Sequence, residues 1–119
     1  MAAEKEKSPE TIPGTTLVNV QEAKALFDKG AIFIDARSDK NWGAGRVPDA
    51  VHLDVKRDFT EAALLEELTK SDPVVMYCNG ENCLRSTKAN EQAFTWGFTK
   101  VYYFRTGFPS WKAAGYAVE

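Results

Sequence analysis

Apolar residues occur along the chain in short continuous runs, and between the runs they recur every three or four positions. The runs lie at residues 17–20, 31–34, 50–53, 74–77 and 101–104. A continuous run is typical of a strand covered on both faces, whereas strict alternation is typical of a strand with one face in water. Strand and helix patterns alternate almost throughout, which predicts an α/β domain with a mostly parallel sheet and helices on both faces.

The segments between the runs carry helix start and stop signals. Starts are predicted at Asn19, Asp58, Ser86 and Pro109, and stops at Gly30, Pro73, Gly97 and Gly115. Asn19 is followed three positions later by Glu22, which predicts a capping box. In a mostly parallel sheet of this kind, functional loops lie beyond the carboxyl ends of the strands.

The most informative segment is the run at residues 74–77, which ends in Cys78 and leads through a small polar loop into a predicted helix. Backbone N–H groups of such a loop and of the first helical turn converge and favour negative charge. They lower the pKa of a thiol below its usual value of about 8.5, which makes it a nucleophile near neutral pH. Cys78 is therefore the candidate catalytic residue. The candidate substrate-binding residues form the cysteine loop, residues 79–86: Asn79, Gly80, Glu81, Asn82, Cys83, Leu84, Arg85 and Ser86.

Two residues at the end of the cysteine loop have further predicted roles. Arg85 supplies a cation close to the thiolate, which would favour the charged form of the sulfur. Ser86 is predicted to cap the helix that begins there.

Composition narrows the range of partners and compartments. The 119 residues carry a net charge of −2, which predicts one domain and argues against a nucleic-acid or anionic-membrane surface. Residues 1–16 are predicted to be a flexible leader with neither the apolar core of a signal peptide nor a membrane span. With two cysteines only, a reducing compartment is expected, so the protein is predicted to be cytoplasmic. A periplasmic location stays open if a signal peptide has been removed.

The chain resembles a single-domain rhodanese over residues 17–118. The resemblance rests on the order of five motifs: Asp35-Ala36-Arg37, the segment from Gly45 to Leu53, Tyr77-Cys78, Arg85-Ser86, and Gly107 with Trp111 and Gly115. It implies a three-layer domain over residues 17–119 with a central five-stranded sheet. It also implies sulfur transfer, in which the thiolate takes a sulfur atom from a sulfane donor and passes the outer sulfur of the persulfide to a thiophilic acceptor.

The expected partners follow from that resemblance. They are a small anionic sulfur donor, a thiol or cyanide acceptor, and a sulfur-carrier or redox protein. Neither a cofactor nor a metal is expected, and the protein is expected to be a monomer.

The cysteine loop is longer than the family's usual pattern. Family members commonly have Cys-x-x-Gly-x-Arg-Ser, and phosphatase relatives of the same fold have Cys-x5-Arg. Here Arg85 comes seven positions after Cys78. The longer loop adds Cys83, which is placed to attack a persulfide or a sulfenic acid on Cys78, or else fills space under the loop. Sulfur transfer is favoured. The alternatives are a dithiol redox relay or sensor, a phosphatase or arsenate reductase, and a binding module without catalysis.

Four charged or titratable residues outside the loop need an interpretation. Asp35 and Arg37 follow a predicted strand, and a structural ion pair that anchors loops is favoured for them. Arg46 stands where the resembled family often has histidine, and it either adds positive charge at the pocket rim or lies in solvent. His52, the single histidine, is interpreted as a satisfied, partly buried histidine rather than as a catalytic base.

Overall fold

The computed structural model describes residues 8–81 and 83–119, which form five strands and five helices. The strands are β1 (Thr16–Leu17), β2 (Ile32–Asp35), β3 (Val51–His52), β4 (Val74–Tyr77) and β5 (Val101–Phe104). The helices are α1 (Val20–Asp28), α2 (Asp39–Ala44), α3 (Glu61–Leu65), α4 (Arg85–Thr95) and α5 (Gly107–Ala113). None of the helices in this part of the chain is long and apolar enough to cross a bilayer.

The five strands form a single parallel sheet in the order β1-β5-β4-β2-β3. Strand β4 lies in the middle, and all four of its residues are buried. Its last residue, Tyr77, is in register with Asp35 of β2 and Phe104 of β5. The residues that follow these three strands therefore emerge side by side at one edge of the sheet.

Helices cover both faces of the sheet, which confirms the predicted three-layer architecture. Alternate strand residues point to opposite faces. On one face, Ile34, Val74 and Met76 pack with residues of α3 and α4. On the other face, Phe33, Val75 and Tyr77 pack with residues of α1 and α5. Strand β4 is buried from both sides, as its unbroken apolar run predicts.

The local helix signals are partly right. The Asn19 side chain accepts the Glu22 N–H at 2.8 Å, and the Glu22 carboxylate accepts the Asn19 N–H at 2.9 Å, so the capping box is present. The cap predicted at Asp58 is wrong. Helix α3 begins at Glu61, so the capping position is Thr60, whose side chain accepts the N–H of Ala63. The Asp58 carboxylate is bound to Arg57 instead.

Two other helices begin earlier than the sequence predicts. Helix α4 begins at Arg85, so Ser86 is its second residue and not its cap. A capping residue lies directly before the first helical residue, and its own backbone is typically non-helical. Helix α5 begins at Gly107, two positions before Pro109.

The segment before β1 packs on the domain from Ser8 onward. Ser8 and Ile12 are 3% exposed, and the Tyr103 hydroxyl donates to the carbonyl of Pro9 at 2.9 Å. Of the residues predicted to belong to a leader, Ser8 and Ile12 are thus buried against the domain, and Thr16 begins β1. The rest of that predicted leader, residues 1–7, falls outside the described residues.

Candidate active site

Cys78 follows β4 directly and lies at the carboxyl edge of the sheet, where the strand pattern predicts it. Cys78 is 1% exposed to solvent, and its sulfur is bonded to the sulfur of Cys83. The two Cα atoms are 6.4 Å apart. A turn closes the loop between them: the Cys83 N–H donates to the carbonyl of Gly80 at 3.0 Å, and Gly80 has a φ of 117°. The cysteine loop therefore folds back so that its two cysteines meet.

The first turn of α5, the helix that follows the neighbouring strand β5, contacts the backbone of Cys78. The N–H of Phe108 donates to the Cys78 carbonyl at 2.9 Å. Gly107, with a φ of 64°, packs so closely that a Cβ atom there would overlap the Cys78 carbonyl oxygen and lie 3.0 Å from the nitrogen of Gly80. The sequence marks Gly107 only as part of a family pattern. The structure shows that it fixes the backbone on either side of Asn79.

Asp35 and Arg37 form a buried ion pair that reaches the cysteine loop. The Arg37 guanidinium donates to both carboxylate oxygens of Asp35 at 2.6 to 3.0 Å, and the side chains are 3% and 0% exposed. Arg37 also donates to the carbonyl of Gly45 at 2.6 Å and to the amide oxygen of Asn79 at 3.2 Å. A buried bidentate pair of this kind holds a guanidinium in a fixed position. Arg37 thus ties the cysteine loop to β2.

Tyr77 completes this buried network. Its hydroxyl donates to Asp35 at 2.8 Å and accepts the N–H of Val47 at 3.2 Å. Burial, and then the negative charge of Asp35, raise the pKa of the Tyr77 phenol well above its usual range. Tyr77 therefore stays a hydrogen-bond donor under alkaline conditions.

The raised pKa of Tyr77 predicts a loss of stability at high pH. The folded state keeps a proton that the unfolded chain releases above about pH 10, so the stability due to this group is full below that pH and falls as pH rises. Tyr77→Phe should remove this part of the pH dependence. It should also cost about 1–3 kcal/mol at neutral pH, because the Val47 N–H loses its acceptor. Urea unfolding between about pH 8 and 11 checks both effects. An identical pH slope in Tyr77→Phe and the parent would contradict the first.

Glu81 of the cysteine loop is clamped by residues far away in sequence. Its carboxylate accepts from Arg105 at 3.1 Å, and its carbonyl accepts the N–H of Ser8 at 2.7 Å. Arg105 also donates to the Ser8 carbonyl at 2.7 Å. Residues 8 and 105 thus hold the loop in place. Sequence reasoning missed Arg105; its only signal is its position directly after β5.

A cavity of about 400 Å³ opens next to this clamp, at the carboxyl ends of β1 and β5. Arg105 lines it together with residues of the segment before β1 and of the start of α1. Neither cysteine lines it in the disulfide form.

Arg85 is not a free cation at the loop. Its guanidinium donates to the carboxylate of Asp54 at 2.6 Å and to the carbonyl of Ala36 at 3.4 Å. Burial opposes ionisation of Asp54, but the backbone N–H of Lys56 and the Arg85 side chain outweigh it and lower the pKa of the carboxyl. The positive charge expected from Arg85 is therefore balanced by Asp54, which the sequence does not mark as its partner.

The remaining predicted loop residues differ in exposure. The Ser86 hydroxyl is buried and has no hydrogen-bond partner among the described residues. Leu84 is 42% exposed. Asn82 lies outside the described residues.

Arg46 and His52 contact other parts of the domain rather than the cysteines. Arg46 lies over the Trp42 ring at 4.3 Å and is 3.7 Å from the carboxylate of Glu119. Its position at the pocket rim stays a prediction. His52 is hydrogen-bonded to the carbonyl of Arg37 at 2.8 Å and stacks on Trp42, with its side chain 15% exposed. These are the contacts of a satisfied, partly buried histidine.

The match to known sequences decides the family. The sequence profile of the Rhodanese-like domain covers residues 19–114. The chain belongs to the rhodanese-like family. The resemblance read from five motifs is thereby confirmed, and the profile match includes both cysteines and the whole cysteine loop.

Relatives of this rhodanese-like domain include bacterial enzymes. The thiosulfate sulfurtransferase GlpE of Pseudomonas savastanoi pv. phaseolicola is 30% identical over 93 residues, which are 78% of this chain and 83% of the relative. The enzyme of the same name from Pseudomonas fluorescens is 32% identical over 94 residues, 77% of this chain and 80% of the relative.

A solved structure has the same fold. The BH2092 protein of Bacillus halodurans superposes with a TM-score of 0.76 at 21% identity, covering 88% of this chain and 77% of that one. At that identity the likeness supports the fold of the rhodanese-like domain and not its activity.

Proposed function

We propose that this rhodanese-like domain is a sulfurtransferase that carries sulfane sulfur as a persulfide on Cys78. One observation carries the proposal: Cys78 directly follows the buried central strand β4, and its carbonyl accepts a hydrogen bond from the N–H of Phe108. Its sulfur lies at the cysteine loop, where it is bonded to the sulfur of Cys83. Relatives named thiosulfate sulfurtransferase support the same activity.

The proposed first step is a displacement at sulfur. The Cys78 thiolate attacks the outer sulfur of thiosulfate, the S–S bond of the donor breaks, and sulfite leaves with the bonding electron pair. Cys78 then holds a persulfide. An acceptor thiolate or cyanide attacks the outer sulfur of that persulfide, and the Cys78 thiolate leaves. The donor and the persulfide are anionic, and the N–H groups of the loop and of the α4 N-terminus favour negative charge at this place.

The side chains near the loop support anion binding in different ways. The amide groups at the start of α4 have no intrahelical acceptor, and the Ser86 hydroxyl has an unused donor. The charge of Arg85 is balanced by Asp54. Its contribution to anion binding is therefore as the first residue of α4, whose N–H groups face the anion. We expect the backbone of Asn79, Gly80 and Cys83 to shape the anion-binding surface of the cysteine loop.

The disulfide favours one second candidate function. A dithiol relay would cycle Cys78 and Cys83 between the thiol and disulfide forms, and it would exchange electrons with a partner without taking up sulfur. Sulfur transfer requires a reduced Cys78, because a thiol in a disulfide is not a nucleophile. The relay uses both forms, since its disulfide accepts electrons and its dithiol donates them.

Sulfite release tests the proposed transfer. The reduced chain, freed of reductant and kept without oxygen, is mixed with thiosulfate. We expect about one sulfite per chain, the stoichiometry of a single thiolate displacement. Cys78→Ser and the disulfide form should release none, whereas Cys83→Ser should release as much as the parent. Mercaptopyruvate and polysulfide are tried in parallel, with intact mass as the readout. Lack of sulfur uptake from every donor by a chain whose Cys78 is reduced would remove the proposal, and oxidation of dithiols by the disulfide form of the chain would favour the relay.

A further inference from the structure

The thiol of Cys83 plays no part in the transfer described above, yet its sulfur is bonded to the sulfur of Cys78. The bond forms with the sheet, the helices and the supports of Cys78 all in place. The Cys83 N–H still donates to Gly80, and the Phe108 N–H still donates to Cys78. The folded loop therefore brings the two sulfur atoms within bonding distance without any unfolding of the domain.

We propose that Cys83 is a catalytic residue that resolves the Cys78 persulfide, releasing the bound sulfur as sulfide. The inference rests on the proposed sulfurtransferase function. The Cys83 sulfur gives up its proton and attacks the Cys78 sulfur, and the S–S bond of the anionic persulfide breaks. The outer sulfur leaves with the electron pair and takes up the proton from Cys83, so that it is released as hydrosulfide. The product is the Cys78–Cys83 disulfide. The sulfane sulfur is the oxidant in this step, so no other oxidant is consumed.

The geometry selects which sulfur of the persulfide is attacked. Attack on the outer sulfur would only move the persulfide to Cys83. Attack on the inner sulfur, which is Cys78 Sγ, forms a bond between the two cysteine sulfurs and expels sulfide. The structure contains that bond, so the folded loop allows Cys83 to reach the inner atom.

The reaction competes with external acceptors because it is intramolecular. Cys83 is five positions from Cys78, and the turn at Gly80 holds it close. Groups held together in this way react as if at a very high local concentration. In the absence of a concentrated acceptor, resolution by Cys83 is therefore the faster route.

The resulting disulfide has to be reduced before another cycle. The two cysteines differ in solvent exposure: Cys78 is 1% exposed, whereas Cys83 is partly exposed. A dithiol reductant, either a small dithiol or a protein dithiol, attacks the Cys83 sulfur, and Cys78 leaves as the thiolate. The second thiol of the reductant then frees Cys83. Over one cycle, thiosulfate and a dithiol give sulfite, hydrogen sulfide and a disulfide.

The test measures sulfite, sulfide and mass together in a single turnover. The reduced parent chain, Cys83→Ser, Cys83→Ala and Cys78→Ser are each mixed with thiosulfate without oxygen or reductant. We expect the parent to release about one sulfite and one sulfide per chain, the stoichiometry of one displacement at each sulfur, and to end two hydrogen atoms lighter than the reduced chain. Both Cys83 variants should release sulfite but no sulfide, and they should keep one added sulfur atom. Reduced parent without thiosulfate should keep both thiols.

The possible results separate the inference from the proposed function. If the parent keeps its added sulfur and releases no sulfide, or if the added sulfur lies on Cys83, the inference is wrong while the sulfurtransferase stands. If neither the parent nor the Cys83 variants take up sulfur from thiosulfate, mercaptopyruvate or polysulfide, the proposed function fails, and the inference fails with it. Agreement between the serine and alanine variants shows that loss of the thiol, rather than a change of polarity, causes the effect.

Discussion

Asp35→Asn is expected to lower the free energy of unfolding by about 3–5 kcal/mol, the range for removing one partner of a buried ion pair. The carboxylate of Asp35 accepts three hydrogen bonds from the Arg37 guanidinium and one from the Tyr77 hydroxyl. Arg37 is 2% exposed, so the variant leaves a guanidinium in the interior without its counter-charge. Urea unfolding at neutral pH, followed by tryptophan fluorescence, measures the change.

The same substitution at an exposed pair provides the control. Asp58 binds Arg57 at 2.7 Å, but these side chains are 35% and 55% exposed. Solvent screens such a pair, so Asp58→Asn should lower the free energy of unfolding far less than Asp35→Asn does. Equal losses in the two variants would mean that burial does not set the contribution of Asp35. A further variant, Arg37→Met with Asp35→Asn, should lose less than the sum of the single changes, because the two residues are coupled.

The elements predicted from the sequence with correct bounds are those whose signal is local. Strands β4 and β5 occupy the predicted residues 74–77 and 101–104, because an unbroken apolar run between polar segments has few other ways to be buried on both faces. The start of α1 is likewise correct, since both partners of its capping box lie within four residues. The position of Cys78 follows from β4 alone.

Helix α2 was missed because it has no buried residue, so the sequence shows no apolar periodicity there.

Features that depend on distant residues were missed as well. The partner of Arg85 is Asp54, thirty-one positions away, and Arg105 meets the loop through Glu81, twenty-four positions away. The role of Cys83 was left open for a similar reason: whether it lies near Cys78 depends on a turn at Gly80 with a positive φ, and nothing in the spacing of the cysteines fixes that turn.

The backbone around Cys78 gives the second large expected effect. Gly107→Ala should slow sulfite release about 100-fold, the order expected when a reacting group is misplaced by about 1 Å. The new Cβ overlaps the carbonyl oxygen of Cys78 and lies 2.9 Å from its carbonyl carbon. Both atoms belong to backbone, so the strain cannot be relieved by turning a side chain, and Cys78 has to move. Stopped-flow detection of sulfite from the reduced chain measures the rate.

Gly115→Ala is the matched control for Gly107→Ala. Gly115 also has a positive φ, 81°, but a Cβ there meets no atom within 4 Å. Alanine should cost about 1–2 kcal/mol of stability at either position because of the left-handed backbone. Only at Gly107 should it add about 1–3 kcal/mol of overpacking and slow the chemistry. Should both variants react as fast as the parent, the contact between α5 and the Cys78 backbone would not position the sulfur. Should both be equally slow, loss of overall stability, and not the displacement of Cys78, would be the cause.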